Sequence, residues 1–308
     1  RAARTRENAM NLTHPLAVDT WGAEERAAVM AVLDSERVTM WKRTAEFEYA
    51  FARRLWVEHA VMVNSGSSAN LIAVAAMEQA LRRQGRTLRG KVAVVPAIAW
   101  ATTYAPLHQH GMRLRVVDVD INTLNIDPLA VREAICPDTA LVVAANILGN
   151  PCDLALLRLT CDEHGIMLLE DNCESLGASV SGRQCGAWGD IGTHSFFFSH
   201  QLATAEGGML VTNDRLLADL ARCLRAHGWA RDLPADSVLH DRADDDFAEA
   251  YRFLMPGYNV RPTEIAAAVG LVQLGKLDAA LEQRRRNAAE FKRLFEGDLR
   301  FRTQIELP

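Results

Sequence analysis

Residues 140–172 read ALVVAANILGNPCDLALLRLTCDEHGIMLLEDN, and three patterns follow one another within them. ALVVAANI is a continuous apolar run of strand length, LALLRLTCDEHG recurs at helical spacing and stops at Gly165, and IMLLEDN is an apolar run again. A strand that never alternates with polar residues is covered on both faces, and strands joined through a helix run parallel. The alternation extends in both directions. Upstream lie HAVMVN (59–64), a helix in SGSSANLIAVAAMEQALRR (65–83), VAVVPAI (92–98), a helix from Trp100 to about His110, RLRVVDVD (113–120) and a helix near 128–135. Two amphipathic helices, one from Trp21 and one over 44–55, come before them. Downstream, GDIGTHSFFFSHQLATAEGG (189–208) reads as a buried strand running through the three Phe to a polar edge at Ser199 and His200. A Gly207-Gly208 turn, the strand MLVTN, the helix LLADLARCLRAHG, an acidic loop around 241–246, the turn PGYNVRP and a long helix complete the chain. The fold expected is α/β, a mainly parallel sheet with helices on both faces.

The composition bounds the function. A chain of 308 residues can form one large α/β domain, alone or with a smaller companion. A formal charge of −5 lacks the clustered basic surface that a nucleic-acid binder uses to displace counterions. The densest basic run, Arg284 to Arg286, falls in a helical pattern and reads as an exposed face. No stretch has the apolar length of a membrane span and no signal-peptide pattern opens the sequence, so a cytoplasmic enzyme is expected. The six Cys, at 136, 152, 161, 173, 185 and 223, include no C-x-x-C or C-x-C pair. Most are therefore expected to be reduced and buried, with no metal site. No G-x-G-x-x-G follows a strand, which argues against a nicotinamide dehydrogenase.

Ligands of parallel sheets gather beyond the carboxyl ends of the strands, and four features are expected there. The turn at Ser65–Ser68 opens a helix whose free N–H groups and dipole attract an anion, most often phosphate. Trp100 follows VAVVPAI, Asp171 follows IMLLE, and His200 follows the Phe run. An anion site, a flat aromatic, a carboxylate and an acid/base group suit a planar phosphorylated cofactor with a ring nitrogen, which describes pyridoxal phosphate chemistry. Each feature also has an ordinary reading: a plain capped helix, a core Trp, a turn-capping Asp and a hydrogen-bonded loop His.

VNSGSSANL, PAIAWATTY, EDNCESLGA, GDIGTHSFFFSH, EGGMLVTND and GYNVRPTE together resemble the sugar aminotransferase (DegT/DnrJ/EryC/StrS) family of fold-type I pyridoxal phosphate enzymes. The resemblance runs from about Trp21 onward. In that family the position of His200 is normally the Lys that holds the cofactor covalently. Lys is scarce here, at 42, 91, 276 and 292, and none of the four is expected at that strand edge. An imidazole has no primary amine with which to replace it. A His here, followed by QLATAEGG and RAHGWARDLP, resembles the 4-keto-6-deoxy-sugar 3-dehydratase branch, which uses free pyridoxamine phosphate. A related branch adds an iron–sulfur cluster. Cys173 matches one of its ligands, but residues 225–256 contain no Cys, so no iron–sulfur cluster is expected.

The resemblance implies Asp171 at the ring nitrogen, Trp100 against the ring face, and Ser67, Ser68 and Ser195 on the phosphate. Glu174 also lies at the cofactor, and Asn259 reaches the phosphate of a neighbouring subunit in a homodimer with shared sites. His200 is implied as base and acid, and Ser199 as a helper in positioning. The reaction implied removes the C3 hydroxyl of a nucleotide-linked 4-keto-6-deoxyhexose, with GDP-4-keto-6-deoxymannose as the expected substrate and L-glutamate restoring the pyridoxamine form. Two alternatives stand beside it: a nucleotide-sugar aminotransferase that has lost or moved its Lys, and a noncatalytic cofactor-binding relative. Residues 20–255 are expected as the large cofactor domain. Family members continue into a small α/β domain, so 1–19 and 256–308 are expected as the N-terminal segment and the helical start of an incomplete C-terminal domain.

Overall fold

The apolar runs assemble into one seven-stranded sheet in a computed structural model that describes residues 20–295. Residues 1–19 and 296–308 lie outside the described residues, together with the domain expectations placed on them. In chain order the elements are α1 (Ala23–Asp34), α2 (Lys42–Leu55), β1 (His59–Val63), α3 (Gly66–Arg83), β2 (Val92–Pro96), α4 (Ala101–Gln109), β3 (Arg113–Val117), α5 (Pro128–Ala134) and β4 (Thr139–Ala145). They continue with α6 (Leu154–His164), β5 (Met167–Asp171), the short pair β6 (Ser179–Val180) and β7 (Arg183–Gln184), β8 (Ile191–Ser195), β9 (Gly208–Thr212), α7 (Arg215–Arg225), α8 (Asp246–Ala250) and α9 (Glu264–Phe295). The sheet order is β1-β9-β8-β5-β4-β2-β3. The strands β8, β5, β4, β2 and β3 are mutually parallel, and β9 lies antiparallel between β8 and β1.

The unalternated strands are explained by cover on both faces. Leu141, Val143, Leu169 and Ile191 pack toward α3 and α7 with Ile72, Leu220 and Leu224. Val142, Ala144 and Leu168 face the opposite way, onto Leu154, Leu157 and Cys161 of α6. Farther along that second face, Phe47, Phe51 and Leu55 of α2 meet Leu277 and Leu281 of α9 over Met62 and Met209. α9 begins at Glu264, and this buried carboxylate accepts N–H bonds from Trp41 (2.5 Å), Arg43 (2.7 Å) and Thr44 (3.0 Å). A carboxylate at the start of α2 satisfies its free donors and its dipole together, so the two helices are joined by charge as well as packing. Among the described residues no helix is long and apolar enough to cross a membrane.

The Phe run is corrected by the structure. β8 stops at Ser195, because the last rung of its ladder with β9 pairs Ser195 with Gly208. Phe196 keeps a last cross-chain bond, its N–H donating to Gly207 (2.9 Å), and beyond it the chain turns on itself, His200 N–H donating to Phe197 (3.0 Å). Only Phe196 is buried, against Phe47 and Phe51, whereas Phe197 and Phe198 are exposed. Three consecutive apolar residues imitate a two-sided strand, but hydrogen bonding to a neighbour decides whether one forms. His200 therefore stands in a turn beyond the sheet, not on its strand.

His194, within β8, is fully buried against Phe51, and neither ring nitrogen has a partner. Burial pushes its pKa down to about 3. The unfolded chain takes up a proton near pH 6.5 that the native imidazole refuses, so stability falls as pH drops below that value. Integrated over the window, the loss is about 2 kcal/mol between pH 7 and pH 5. His194→Leu should flatten this slope in urea denaturation at the two pH values.

Candidate active site

Asp171 ends β5 and is nearly buried. Its Oδ2 accepts from Asn70 Nδ2 and from Thr103 Oγ1, each at 2.8 Å, and its Oδ1 accepts from the Cys173 N–H at 3.2 Å. A turn-capping Asp would be satisfied by its own loop, yet two of these donors come from α3 and α4. The carboxylate is thus held by long-range partners at the edge where the parallel strands end.

Beside it, α3 begins with Ser65 as its cap, the side chain accepting the Ser68 N–H at 3.1 Å. Ser68 Oγ lies 3.0 Å from Ser65 Oγ, and Ser67 Oγ donates to Thr102 Oγ1 at 2.9 Å. Gly66 brings this turn against β8: a Cβ there would lie 2.5 Å from Ser195 Cβ and 3.0 Å from Ser195 Oγ. The hydroxyls of Ser67, Ser68 and Ser195 and the free N–H groups of the α3 terminus converge where an anion gains most from the helix dipole. Hydroxyls and a helix terminus of this kind suit a phosphate, and a buried carboxylate at the same sheet edge suits a protonated ring nitrogen.

Trp100 caps α4 and is 71% exposed, which rules out the core-packing alternative and leaves its indole face open. Thr102 and Thr103, next in the chain, touch Ser67 and Asp171, so the Trp stands at the same edge. Glu174 accepts the Leu148 N–H at 2.9 Å through Oε2, and its carbonyl accepts from Gln201 Nε2 at 2.5 Å. The Glu174 carboxylate thus braces the turn at Leu148, and its backbone carbonyl holds the loop that carries His200. Asn259 stands apart, exposed and engaged by Arg261 Nε at 3.1 Å. Its neighbour Val260 accepts the Asn64 N–H at 3.0 Å, placing that segment beside the α3 turn.

His200 is half-buried. Burial lowers its pKa below the usual histidine value; the carboxylates of Glu174 and Asp171 oppose this and the guanidinium of Arg284 adds to it. The balance favours the neutral form of the imidazole relative to an ordinary histidine. Arg284, read from the sequence as one of an exposed basic run, is exposed but donates to the His200 carbonyl at 3.3 Å, and Arg285 donates to the Gly177 carbonyl at 3.1 Å. Sequence reasoning assigned no role to Asn70, Thr102, Thr103 or Arg284. The first three lie inside the motifs VNSGSSANL and PAIAWATTY, but helical position alone does not show which polar residue faces a distant carboxylate. The four Lys stay away from this edge: Lys42 opens α2, Lys91 precedes β2 at its opposite end, and Lys276 and Lys292 lie on α9, Lys276 paired with Glu24 and Glu25.

Fold and site together define an enzyme of the pyridoxal phosphate aminotransferase architecture. The chain belongs to the DegT/DnrJ/EryC1/StrS aminotransferase family, whose model matches residues 19–306. It is 43% identical over 285 residues to GDP-4-keto-6-deoxy-D-mannose 3-dehydratase of Yersinia pseudotuberculosis, covering 92% of this chain and 72% of that one. Among solved structures it matches GDP-4-keto-6-deoxymannose-3-dehydratase as a mutant with bound GDP-perosamine, at TM-score 0.89 and 42% identity over 92% of this chain and 73% of that one. It matches the same enzyme with a trapped PLP-glutamate geminal diamine at TM-score 0.89 and 42% identity, covering 93% of this chain and 74% of that one.

Two outcomes test the site. Gly66→Ala forces Ser195 aside and should weaken cofactor binding by roughly tenfold, as expected for loss of one or two hydrogen bonds to a phosphate, measured by titrating the cofactor fluorimetrically. The acid limb of kcat/KM should lie below pH 6.5, the ordinary histidine value. Removing a lowering influence by Arg284→Gln should move that limb up, and removing a raising one by Glu174→Gln should move it down.

Proposed function

We propose that the protein is a pyridoxamine-phosphate-dependent dehydratase that removes the C3 hydroxyl of a nucleotide-linked 4-keto-6-deoxyhexose, with GDP-4-keto-6-deoxymannose as substrate. The observation that carries the reading is the imidazole of His200 at the position of the family's Lys, with no other amine at that strand edge. When bound, the cofactor supplies an amine to the C4 ketone and an electron sink. Ser67, Ser68, Ser195 and the α3 terminus bind its phosphate, Asp171 pairs with its ring nitrogen, and Trp100 covers its face. Glu174 holds the loop beside His200. The imidazole accepts a proton as base and delivers one to the departing C3 oxygen, two tasks that a group titrating near neutrality performs in turn. Without a covalent tether, occupancy follows the free cofactor concentration. Family likeness supports L-glutamate as the donor that restores the amine.

The protein also acts as a homodimer with shared sites in this reading, Asn259 reaching the partner's phosphate. Exposed Phe247, Tyr251 and Phe253, just ahead of that residue, favour a covered surface there. Residues 20–255 form the large domain and the exposed far half of α9 leads into the small one, and the enzyme works in the cytoplasm.

The decisive assay supplies pyridoxamine phosphate, glutamate and GDP-, CDP- or dTDP-linked 4-keto-6-deoxyhexose, with iron excluded, and follows ammonia and sugar products. A 3-deoxy-4-keto sugar with released ammonia is expected, with the GDP sugar preferred; a 4-amino sugar would establish the aminotransferase instead. His200→Lys should retain pyridoxal phosphate through gel filtration, gain its mass after borohydride reduction, and lose dehydration. Unchanged dehydration in that variant removes His200 from its role.

A further inference from the structure

We infer that Asn70 and Thr193 are positioning residues that hold the Asp171 carboxylate toward the cofactor's ring nitrogen, an inference that rests on the reading of Asp171 as that nitrogen's partner. A buried carboxylate depends on the donors around it, because water does not reach it. Asn70 Nδ2 and Thr103 Oγ1 both donate to Oδ2, and the Cys173 thiol is a further hydrogen-bond partner of the carboxylate. A hydroxyl can only help, since it can turn its proton to the carboxylate. The Asn70 amide has two unlike ends, and the end that faces Asp171 decides between attraction and repulsion.

The surroundings settle the orientation. Asn70 is buried, 2% exposed, and its Oδ1 accepts from Thr193 Oγ1 at 2.6 Å. Its Nδ2 faces the Thr102 carbonyl at 3.4 Å as well as Asp171. Both amide protons therefore meet acceptors and the amide oxygen meets a donor; turned over, the oxygen would face a carboxylate and a carbonyl at once. Thr193 is itself fixed by the sheet, being the β8 residue paired with Asp171 of β5, and it is fully buried. Thr193, Asn70 and Asp171 thus form a chain of hydrogen bonds running through three elements, the Thr193 hydroxyl donating to the Asn70 amide oxygen and the amide nitrogen donating to the carboxylate. Chains of this kind strengthen one another in a low-dielectric interior.

The test reads the ring nitrogen rather than turnover. Pyridoxamine phosphate labelled with ¹⁵N in the ring is bound to each variant, and its nitrogen shift is followed against pH. In the wild type the nitrogen should stay protonated through the neutral range. Asn70→Leu removes the amide donor from Oδ2 without adding a charge and should lower the nitrogen's titration midpoint by about one pH unit. Thr193→Val, of nearly equal shape, should shift it in the same direction by less, and Thr193→Ser should keep the wild-type value. If Asn70→Leu does not fold, the Val and Ser variants at Thr193 decide the matter. A midpoint moved by Asp171→Asn but unmoved by Asn70→Leu and Thr193→Val overturns this inference alone. A midpoint unmoved by Asp171→Asn overturns the reading on which it rests.

Discussion

The site depends on the parallel pairing of β5 with β8. The rung that sets Asp171 opposite Thr193 fixes the carboxylate, its hydrogen-bonding chain and, two residues further along β8, Ser195. Because both faces of these strands are buried, a slip by one residue would exchange the side chains of two separately packed cores. Register here is therefore enforced by the core, and the functional groups inherit its precision. α3 completes the arrangement by bringing its first turn into contact with Ser195, an approach that only a residue without Cβ allows at Gly66.

Charge is distributed around that frame by simple rules. The helix terminus and its hydroxyls form the positive end of the pocket, and Asp171, stabilised by donors from α3 and α4, forms the negative end. His200 lies between burial, which favours its neutral form, and two carboxylates that favour the cation. Its imidazole is suited to give and take a proton but has no amine, whereas the family's usual Lys would hold the cofactor covalently. On the proposed reading, this one side chain is what separates dehydration from transamination.

Much of this architecture was legible in residues 140–172 and their continuation. Apolar runs covered on both faces and helices between them specify a parallel sheet, and strand ends locate a ligand edge. Ser67, Ser68, Asp171 and Trp100 were legible at that edge because strand ends and helix starts carry local signals, whereas Ser195 entered only through the family resemblance, since the Phe run hid the end of its strand. The Phe run misled because Phe196 to Phe198 have the apolarity of a strand, while the ladder ends at Ser195. The basic run at Arg284 misled in another way: its exposure was readable, but its contact with the His200 carbonyl, 84 residues away in sequence, was not.

The sequence alone determined the class of fold, the anion turn, the carboxylate and the absence of a suitably placed Lys, since these follow from periodicity, capping chemistry and residue identity. Tertiary structure decided which polar groups act together. Asn70, Thr103 and Thr193 are ordinary residues of two helices and a strand until folding brings them within 2.8 Å of one another or of Asp171. A hydrogen bond needs that proximity and a fixed direction, and neither is encoded in the spacing of residues so far apart along the chain.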